Sequence, residues 1–193
     1  MFLHFIFMPM VSHLVDLEPF TEDDFATLIS WVKSPEELMQ FAGPEFSYPL
    51  TEAQLYKVIH DEKRHPFKVT PPELGEMIGY AEVYMGEKVA YLSRLLIADP
   101  EQRGKGLGTS LVYELLDFAF MVLAQPRAVL NVSDGNKDAI RCYEKAGFVL
   151  NPNLKTERTV NGKTWTLLHM SINRADWIAA HGDTPPESYF GEE

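Results

Sequence analysis

Apolar residues recur at helical spacing in three early segments of the chain. Thr21 and Asp24 have the spacing of a capping box, and the apolar stripe behind them consists of Phe25, Leu28, Ile29 and Val32. Ser34, which precedes a proline and two acids, begins a second helix that runs to about Phe41. Thr51 begins a third helix. The pattern therefore predicts three short amphipathic helices near the start of the chain.

The apolar spacing changes to that of strands before and after these helices. Residues 77–85 (MIGYAEVYM) alternate with a period of two, and residues 89–99 (VAYLSRLLIAD) contain few polar side chains, as a strand covered on both faces should. Asn161-Gly162 is a strong hairpin turn. Further strands are predicted at residues 14–17, 67–70, 128–132, 148–150 and 163–172.

The segment 102–108 (QRGKGLG) connects the predicted strand 89–99 to a long helix. The apolar positions of that helix are Leu107, Leu111, Leu115, Phe118 and Val122. Backbone N–H groups at a helix N-terminus lack intrahelical partners, the helix dipole is positive there, and glycines allow close approach. The segment therefore predicts a site for an anion such as a pyrophosphate.

Two other phosphate-binding motifs do not fit this segment. Lys105 lies between glycines and is not followed by Ser or Thr at the spacing of a Walker A loop. The glycine spacing is G-x-G-x-G, whereas the dinucleotide fingerprint requires G-x-G-x-x-G. On these residues alone, a glycine-rich turn without a ligand remains the alternative.

A second motif follows further along the chain, at Asn136, Ala139, Tyr143 and Gly147-Phe148 (NKDAIRCYEKAGF). Arg103-x-x-Gly106-x-Gly108 followed by this motif resembles the GNAT superfamily of N-acetyltransferases, with both acetyl-CoA signatures in order. The resemblance covers residues 77–172 well and the earlier residues more loosely. It implies a single α/β domain, at residues 13–173, with a mixed, mostly antiparallel sheet flanked by helices.

The resemblance also implies where acetyl-CoA binds as co-substrate. Members of the superfamily splay the central strand from the next one, and the pantetheine arm pairs with the exposed backbone. The residues implied in cofactor binding are Leu96, Ile97, Ala98, Arg103, Gly104, Lys105, Gly106, Leu107, Gly108, Thr109 and Asn136. The hydroxyl of Thr109 or Ser110 would also bind the pyrophosphate. One of the three strand residues would donate its backbone N–H to the thioester carbonyl. As an alternative, Asn136 is simply a helix N-cap.

Tyr143 matches the position of the general acid that protonates the departing thiolate in the family. The general base is less clear, because Ala90, Tyr91 and Leu92 stand where many relatives carry a glutamate. Glu82 on the neighbouring strand is a candidate that draws protons through water, and a water held by the backbone is an alternative base. As a further alternative, Glu82 faces solvent and has no role in catalysis. Arg94 is a further departure, either in the cleft or solvated.

The aromatic segment between the second and third helices corresponds to one wall of the acceptor cleft in the superfamily. The predicted lining residues are Trp31, Phe41, Phe46 and Tyr48. Filling of the core is an equally good explanation for any one of these rings.

Composition narrows the class of protein. A chain of 193 residues with a 46% apolar fraction suits one domain. The single cysteine, Cys142, excludes an internal disulfide and a cysteine-based metal site. A chain without disulfides favours a cytoplasmic location. A formal net charge of -11 makes nucleic acid and anionic membranes poor partners. Residues 1–12 (beginning MFLHFIFMPM) are predicted to be a short apolar arm or an upstream start, and residues 174–193 a C-terminal tail.

The predicted function is transfer of an acetyl group from acetyl-CoA to a primary amine, of a small molecule or a peptide N-terminus, by direct attack. The segments EPFTEDD and LLDFAF look like the branch with ribosomal-protein, polyamine and aminoglycoside acetyltransferases. The alternative is a non-catalytic acyl-CoA-binding sensor or interaction module. A metal is not predicted, and the sequence is compatible with a homodimer.

Overall fold

The structure is a computed structural model that describes residues 13–160 and 162–182. The predicted N-terminal arm, Asn161 of the predicted turn and residues 183–193 of the predicted tail lie outside the described residues. The strands are β1 (Asp16–Pro19), β2 (Arg64–Thr70), β3 (Gly79–Met85), β4 (Ala90–Ile97), β5 (Arg127–Ser133), β6 (Val149–Val160) and β7 (Lys163–Asn173). The helices are α1 (Phe25–Trp31), α2 (Pro35–Ala42), α3 (Glu52–Ile59), α4 (Leu107–Asp117), α5 (Lys137–Lys145) and α6 (Arg174–His181).

The strands form one seven-stranded sheet in the order β1-β2-β3-β4-β5-β7-β6. Neighbouring strands are antiparallel except for β4 and β5, which are parallel. The predicted mixed, mostly antiparallel sheet is therefore confirmed. Within the described part of the chain, no helix has both the length and the apolar character needed to cross a membrane.

The three predicted early helices are confirmed, and local hydrogen bonds explain where they begin. The backbone N–H of Thr21 donates to Asp24 Oδ2 at 2.9 Å, and a short 3-10 turn leads into α1. The N–H of Glu37 donates to Ser34 Oγ at 3.1 Å at the start of α2. Gly43, with φ of +63°, ends α2 in a backbone conformation that few other residues adopt readily.

The two faces of the sheet pack against different helices. Successive side chains of β3 point to opposite faces, so Tyr80 and Ala81 belong to separate apolar clusters. Tyr80 packs with residues from and around α1, α2 and α3, including Phe20, Phe25, Leu28, Leu38 and Leu55. Ala81 lies in the larger cluster, which includes Leu111, Leu115, Leu116 and Phe120 from α4 and the turn after it. This division places the early helices on one side of the central strand and α4 on the other.

Helix α6 was not expected from the sequence, which predicted only a tail after residue 173. The indole of Trp177 is buried, and its Nε1–H donates to Asp117 Oδ1 at 2.9 Å. One buried tryptophan in a short helix produces no recognisable periodicity. The available signal was Asn173 before the helix and Asp176 in its first turn, whose side chains are joined by a 3.0 Å hydrogen bond.

Strand β6 is much longer than the predicted segment 148–150. It pairs with β7 from Val149 to Val160, with a register shift between Leu150 and Lys155. Its side chains are mostly exposed and polar, so they lack the apolar alternation on which the prediction depended. Backbone pairing with β7 accounts for the strand, and this information is not local in the sequence.

Candidate active site

The centre of the sheet opens between β4 and β5. These strands pair at Ala90 with Ala128 and at Tyr91 with Val129, and the described pairing stops there although both strands continue. The later residues of β4 therefore present backbone groups to a gap. This is the splayed arrangement that the family resemblance implies, and an extended ligand can pair with such an edge.

The backbone of β4 alternates between this gap and β3. The N–H of Ala98 donates to the carbonyl of Ile78 at 2.9 Å, so it is not available to a cofactor arm. Ile97 is the preceding residue, and its backbone groups face the opposite way. The carbonyl of Ile97 also lies 3.5 Å from Arg103 Nη2, at the glycine-rich loop. Of the three strand residues predicted to contact acetyl-CoA, Ile97 is thus the best placed to donate an N–H.

The glycine-rich loop has the backbone conformation that an anion site needs. Gly104 and Gly106 have φ of +76° and +88°, and Gly106 is the N-cap of α4. The N–H groups of Leu107, Gly108 and Thr109 lie in the first turn of α4, where the helix supplies no acceptors. The loop therefore directs backbone donors and the positive end of the helix dipole to one place.

The two hydroxyls considered for phosphate binding have different surroundings. Ser110 Oγ is buried and accepts a hydrogen bond from the N–H of Leu14 at 2.9 Å. Thr109 Oγ1 lies 3.5 Å from Cys142 Sγ, at the contact between α4 and α5. Burial raises the pKa of the Cys142 thiol, which keeps it protonated and unreactive. The surroundings favour Thr109 over Ser110 as the hydroxyl that reaches a ligand.

Tyr143 lies on α5, which begins at Asn136. The N–H of Ala139 donates to Asn136 Oδ1 at 3.2 Å, so the N-cap role of Asn136 is present in the structure. The Tyr143 ring packs against Phe148, with 6.0 Å between ring centroids. Burial raises the pKa of Tyr143, with a smaller contribution from Cys142, and the phenol stays protonated at neutral pH.

Three of the four predicted acceptor-wall residues lie together around Tyr80. Trp31, Phe41 and Phe46 are partly buried against the cluster of the early helices, and Phe41 lies 5.8 Å from Tyr80 between ring centroids. Tyr48 is separate from them. It is 45% exposed, and its hydroxyl donates to the carbonyl of Lys33 at 3.0 Å.

Glu82 is fully buried, which excludes the solvent-facing alternative. Its Oε1 accepts a hydrogen bond from the Tyr80 hydroxyl at 2.6 Å. Its Oε2 accepts from Arg64 at 2.6 Å and also from Arg94. Both carboxylate oxygens of Glu82 therefore accept hydrogen bonds, and one of these hydrogen bonds must break before Glu82 can accept a proton.

The sequence did not reveal the other members of this network. Arg64 and Glu45 lie far from Glu82 in the sequence, and only the β2–β3 register and the fold of the early helices bring them together. Arg94, for which the sequence allowed either the cleft or solvent, is buried. Tyr80 had a usable signal, because it lies two residues before Glu82 on the same face of β3.

Comparison with known proteins shows which family has this combination of a gap beside β4, a glycine-rich loop and a tyrosine on α5. A family model described as "Acetyltransferase (GNAT) domain" matches residues 15–149. The chain belongs to the GNAT acetyltransferase family.

Characterised relatives of this GNAT chain are enzymes that acetylate amines. The spermidine N(1)-acetyltransferase of Escherichia coli is 27% identical over 172 residues, which cover 88% of this chain and 91% of the relative. The aminoglycoside N(6')-acetyltransferase type 1 of Klebsiella pneumoniae is 33% identical over 150 residues, covering 69% and 73%. The fold is shared with the spermidine N-acetyltransferase of Vibrio cholerae, in complex with CoA and spermine, at a TM-score of 0.71 and 24% identity over 86% of this chain and 98% of that one.

The protein is therefore an acetyl-CoA-dependent N-acetyltransferase. The catalytic interpretation is favoured over a non-catalytic CoA-binding module, because the related proteins are N-acetyltransferases. The predicted individual roles of Tyr143, Glu82 and the cofactor-binding and acceptor-wall residues remain predictions.

A recess of about 440 Å³ lies beside the end of β4 in this GNAT domain. Its walls come from the end of α1, the loop between β2 and β3, and the residues before the glycine-rich loop. The lining includes Trp31, Lys33, Leu74, Glu76, Met77, Ala98 and Asp99. A second depression, lined by Glu22, Phe25, Glu52 and Tyr56, is formed by α3 and the start of α1 rather than by β4.

Proposed function

We propose that this enzyme acetylates a primary amine of an aliphatic polyamine such as spermidine. The recess beside β4 carries this proposal. Its lining combines two carboxylates, Glu76 and Asp99, and one cation, Lys33, with apolar side chains such as Trp31 and Met77, so the recess is acidic on balance. Carboxylates attract ammonium groups, and apolar walls accommodate the methylene segments between them. The net charge of -11 adds a long-range attraction for a polycation.

The proposed reaction assigns a role to each part of the site around the gap. The backbone donors of the glycine-rich loop hold the pyrophosphate of acetyl-CoA, and the pantetheine arm pairs with β4. The neutral amine attacks the thioester carbonyl carbon, whose oxygen is stabilised by a strand N–H, for which Ile97 is the best placed. The carbon–sulfur bond then breaks, and the Tyr143 phenol gives its proton to the departing thiolate. The proton lost by the amine later restores the phenol through solvent.

If Glu82 removes the amine proton through a relaying water, Glu82→Gln should lower the rate of acetyl transfer. The kcat for spermidine should fall by about tenfold or more, whereas acetyl-CoA affinity should stay within about twofold of the parent. Steady-state kinetics and calorimetric titration measure the two quantities. Tyr80→Phe is the matched control, because it removes a hydrogen bond to the carboxylate but keeps its charge. A parent-like kcat in Glu82→Gln would exclude Glu82 from proton transfer.

A second candidate acceptor is an amine of an aminoglycoside. The 33% identity to an aminoglycoside acetyltransferase favours it. Spermidine, an aminoglycoside with a primary 6' amine and a peptide with a free N-terminus can be compared in one assay of CoA release. The polyamine proposal predicts the highest kcat/KM for spermidine, and a higher value for either of the others would overturn it.

The recess itself is tested by Glu76→Gln. Loss of this carboxylate should raise the KM for spermidine by about threefold to tenfold, because one ammonium group loses its counter-charge. The KM for butylamine, which has one amine, should change by less than about twofold. Glu73→Gln is the matched control, since Glu73 is an exposed acid of the same loop outside the lining. Equal effects of the two substitutions on spermidine would place the polyamine elsewhere.

A further inference from the structure

Arg94 occupies an irregular position in the central strand. The register between β3 and β4 shifts between Tyr80 and Glu82, so that β4 bulges where Arg94 lies. Arg94 has φ of +54°, in the left-handed region that a residue with a β-carbon adopts only at some cost. The bulge lies in the part of β4 that is no longer paired with β5, next to the gap.

The guanidinium of Arg94 connects this bulge to the segment after α2. One nitrogen, Nη1, donates to Glu82 on β3, and the other, Nη2, donates to Glu45. The guanidinium carbon lies 4.4 Å from the ring centroid of Phe46, a cation–π contact. The Arg94 side chain is 4% exposed, and Glu82 is fully buried, so the contact between them is made away from water. Glu45 is 62% exposed, and its contact with Arg94 lies at the surface end of the network.

The outer part of the same segment is held by a different set of contacts. The side-chain amide of Gln54 donates to the carbonyls of Ser47 and Pro49, each at 3.0 Å, and accepts from the N–H of Ser47 at 2.8 Å. Residues 43–50, here called the acceptor loop, are thus fixed to α3 on the outside. On the inside, Arg94 joins the loop to β4.

We propose that Arg94 is a positioning residue that locks the acceptor loop onto the bulge of β4 and so sets the distance between the amine and the thioester. The Arg94 side chain packs against Phe46, which lies on the predicted acceptor wall. Arg94 also belongs to β4, the strand whose backbone is proposed to pair with acetyl-CoA. Small displacements between two reacting groups cost large factors in rate. The proposal rests on the proposed reaction for its kinetic test, while the lock itself is tested without any amine.

Stability alone does not explain the choice of an arginine here. A buried ion pair is often no more stabilising than apolar residues of the same volume. The Nε of Arg94 is buried and has no hydrogen-bond partner among the described residues, which adds an energetic cost. The left-handed backbone adds another. The fold thus retains an energetically unfavourable residue at the position where the acceptor loop meets β4.

Arg64 provides a matched control. It donates to the same Glu82 oxygen at 2.6 Å and lies 3.6 Å from the same Glu45 oxygen. Arg64 lies on β2, however, and its guanidinium stacks on Tyr84 at 5.3 Å and not on Phe46. Its contact with Glu45 therefore joins the acceptor loop to β2 and not to the bulge of β4. Loss of either arginine therefore removes a charge from one network, but only Arg94 connects the loop to the bulge.

The experiment compares Arg94→Gln and Arg64→Gln in the full chain. With spermidine, Arg94→Gln should lower kcat/KM by about tenfold or more, with acetyl-CoA affinity within about twofold of the parent. Arg64→Gln should change kcat/KM by less than about threefold. Chymotrypsin cleavage after Phe46, followed by mass spectrometry, should be faster in Arg94→Gln than in the parent and unchanged in Arg64→Gln.

Equal decreases in kcat/KM for the two variants, or an unchanged kcat/KM in Arg94→Gln, would overturn the proposal. If Arg94→Gln does not fold, Glu45→Ala removes the carboxylate that the acceptor loop offers to Arg94, and it must lower kcat/KM and accelerate cleavage in the same direction. Absence of both effects in Glu45→Ala would also overturn it. If the parent does not turn over spermidine, the polyamine proposal fails separately, and unchanged cleavage in Arg94→Gln still rejects the lock.

Discussion

Replacement of Tyr143 by phenylalanine is expected to lower kcat by about 100-fold or more with little change in acetyl-CoA affinity. The phenylalanine ring keeps the contact with Phe148, so the packing of α5 is preserved and only the hydroxyl is lost. Without that proton the thiolate must leave as an anion in a partly buried site, which raises the barrier. Pre-steady-state and steady-state kinetics at saturating acetyl-CoA measure the change.

The pH dependence of the parent gives an independent check on this acid. Burial raises the pKa of Tyr143, so the phenol keeps its proton above about pH 10, where an exposed tyrosine loses it. The acid therefore remains competent as the pH rises, and kcat should not decline between roughly pH 9 and 10.5, the range in which an exposed tyrosine begins to lose its proton. A parent-like kcat in Tyr143→Phe would show that another group, or water, protonates the thiolate.

Gly106→Val is expected to lower acetyl-CoA affinity by about 100-fold or more. Gly106 has φ of +88°, so valine would be strained there, and the loop would leave the conformation that directs its N–H groups outward. An added β-carbon would also lie 3.3 Å from Leu14 Cδ1, which restricts any accommodation. Isothermal titration of the variant with acetyl-CoA measures the loss.

The control for Gly106→Val must separate backbone strain from damage to the site. Gly162 has φ of +77°, no described atom lies within 4 Å of where an added β-carbon would stand, and the residue lies between β6 and β7. Gly162→Val therefore introduces comparable strain away from the loop. It should bind acetyl-CoA with an affinity within about twofold of the parent. Undiminished acetyl-CoA binding by Gly106→Val would mean that the pyrophosphate lies elsewhere.

The conformation of the glycine-rich loop was predictable from sequence because its determinants are local. Gly104, Gly106 and the helix that begins at Leu107 are contiguous, and their conformation follows from the residue types. The N-caps at Ser34 and Asn136 were predictable for the same reason, since the side chain and the N–H that it receives are three residues apart.

The polar network could not be predicted, because it depends on contacts between distant segments. Glu45, Arg64, Glu82 and Arg94 come from three strands and the segment after α2, and their pairing depends on register and on a bulge. Thr109 and Ser110 were likewise equal candidates in the sequence. Ser110 is directed to Leu14 by the packing of the chain before β1 against α4, a contact with no local signal.

Transfer of an acetyl group from acetyl-CoA to a polyamine by this GNAT domain can be measured in a single incubation. The purified protein is mixed with acetyl-CoA and spermidine, and free CoA thiol and acetylated spermidine are quantified in the same samples. We expect equal amounts of the two products, and loss of both in Tyr143→Phe. Thiol release without acetylated spermidine, or no release although acetyl-CoA binds, would contradict it.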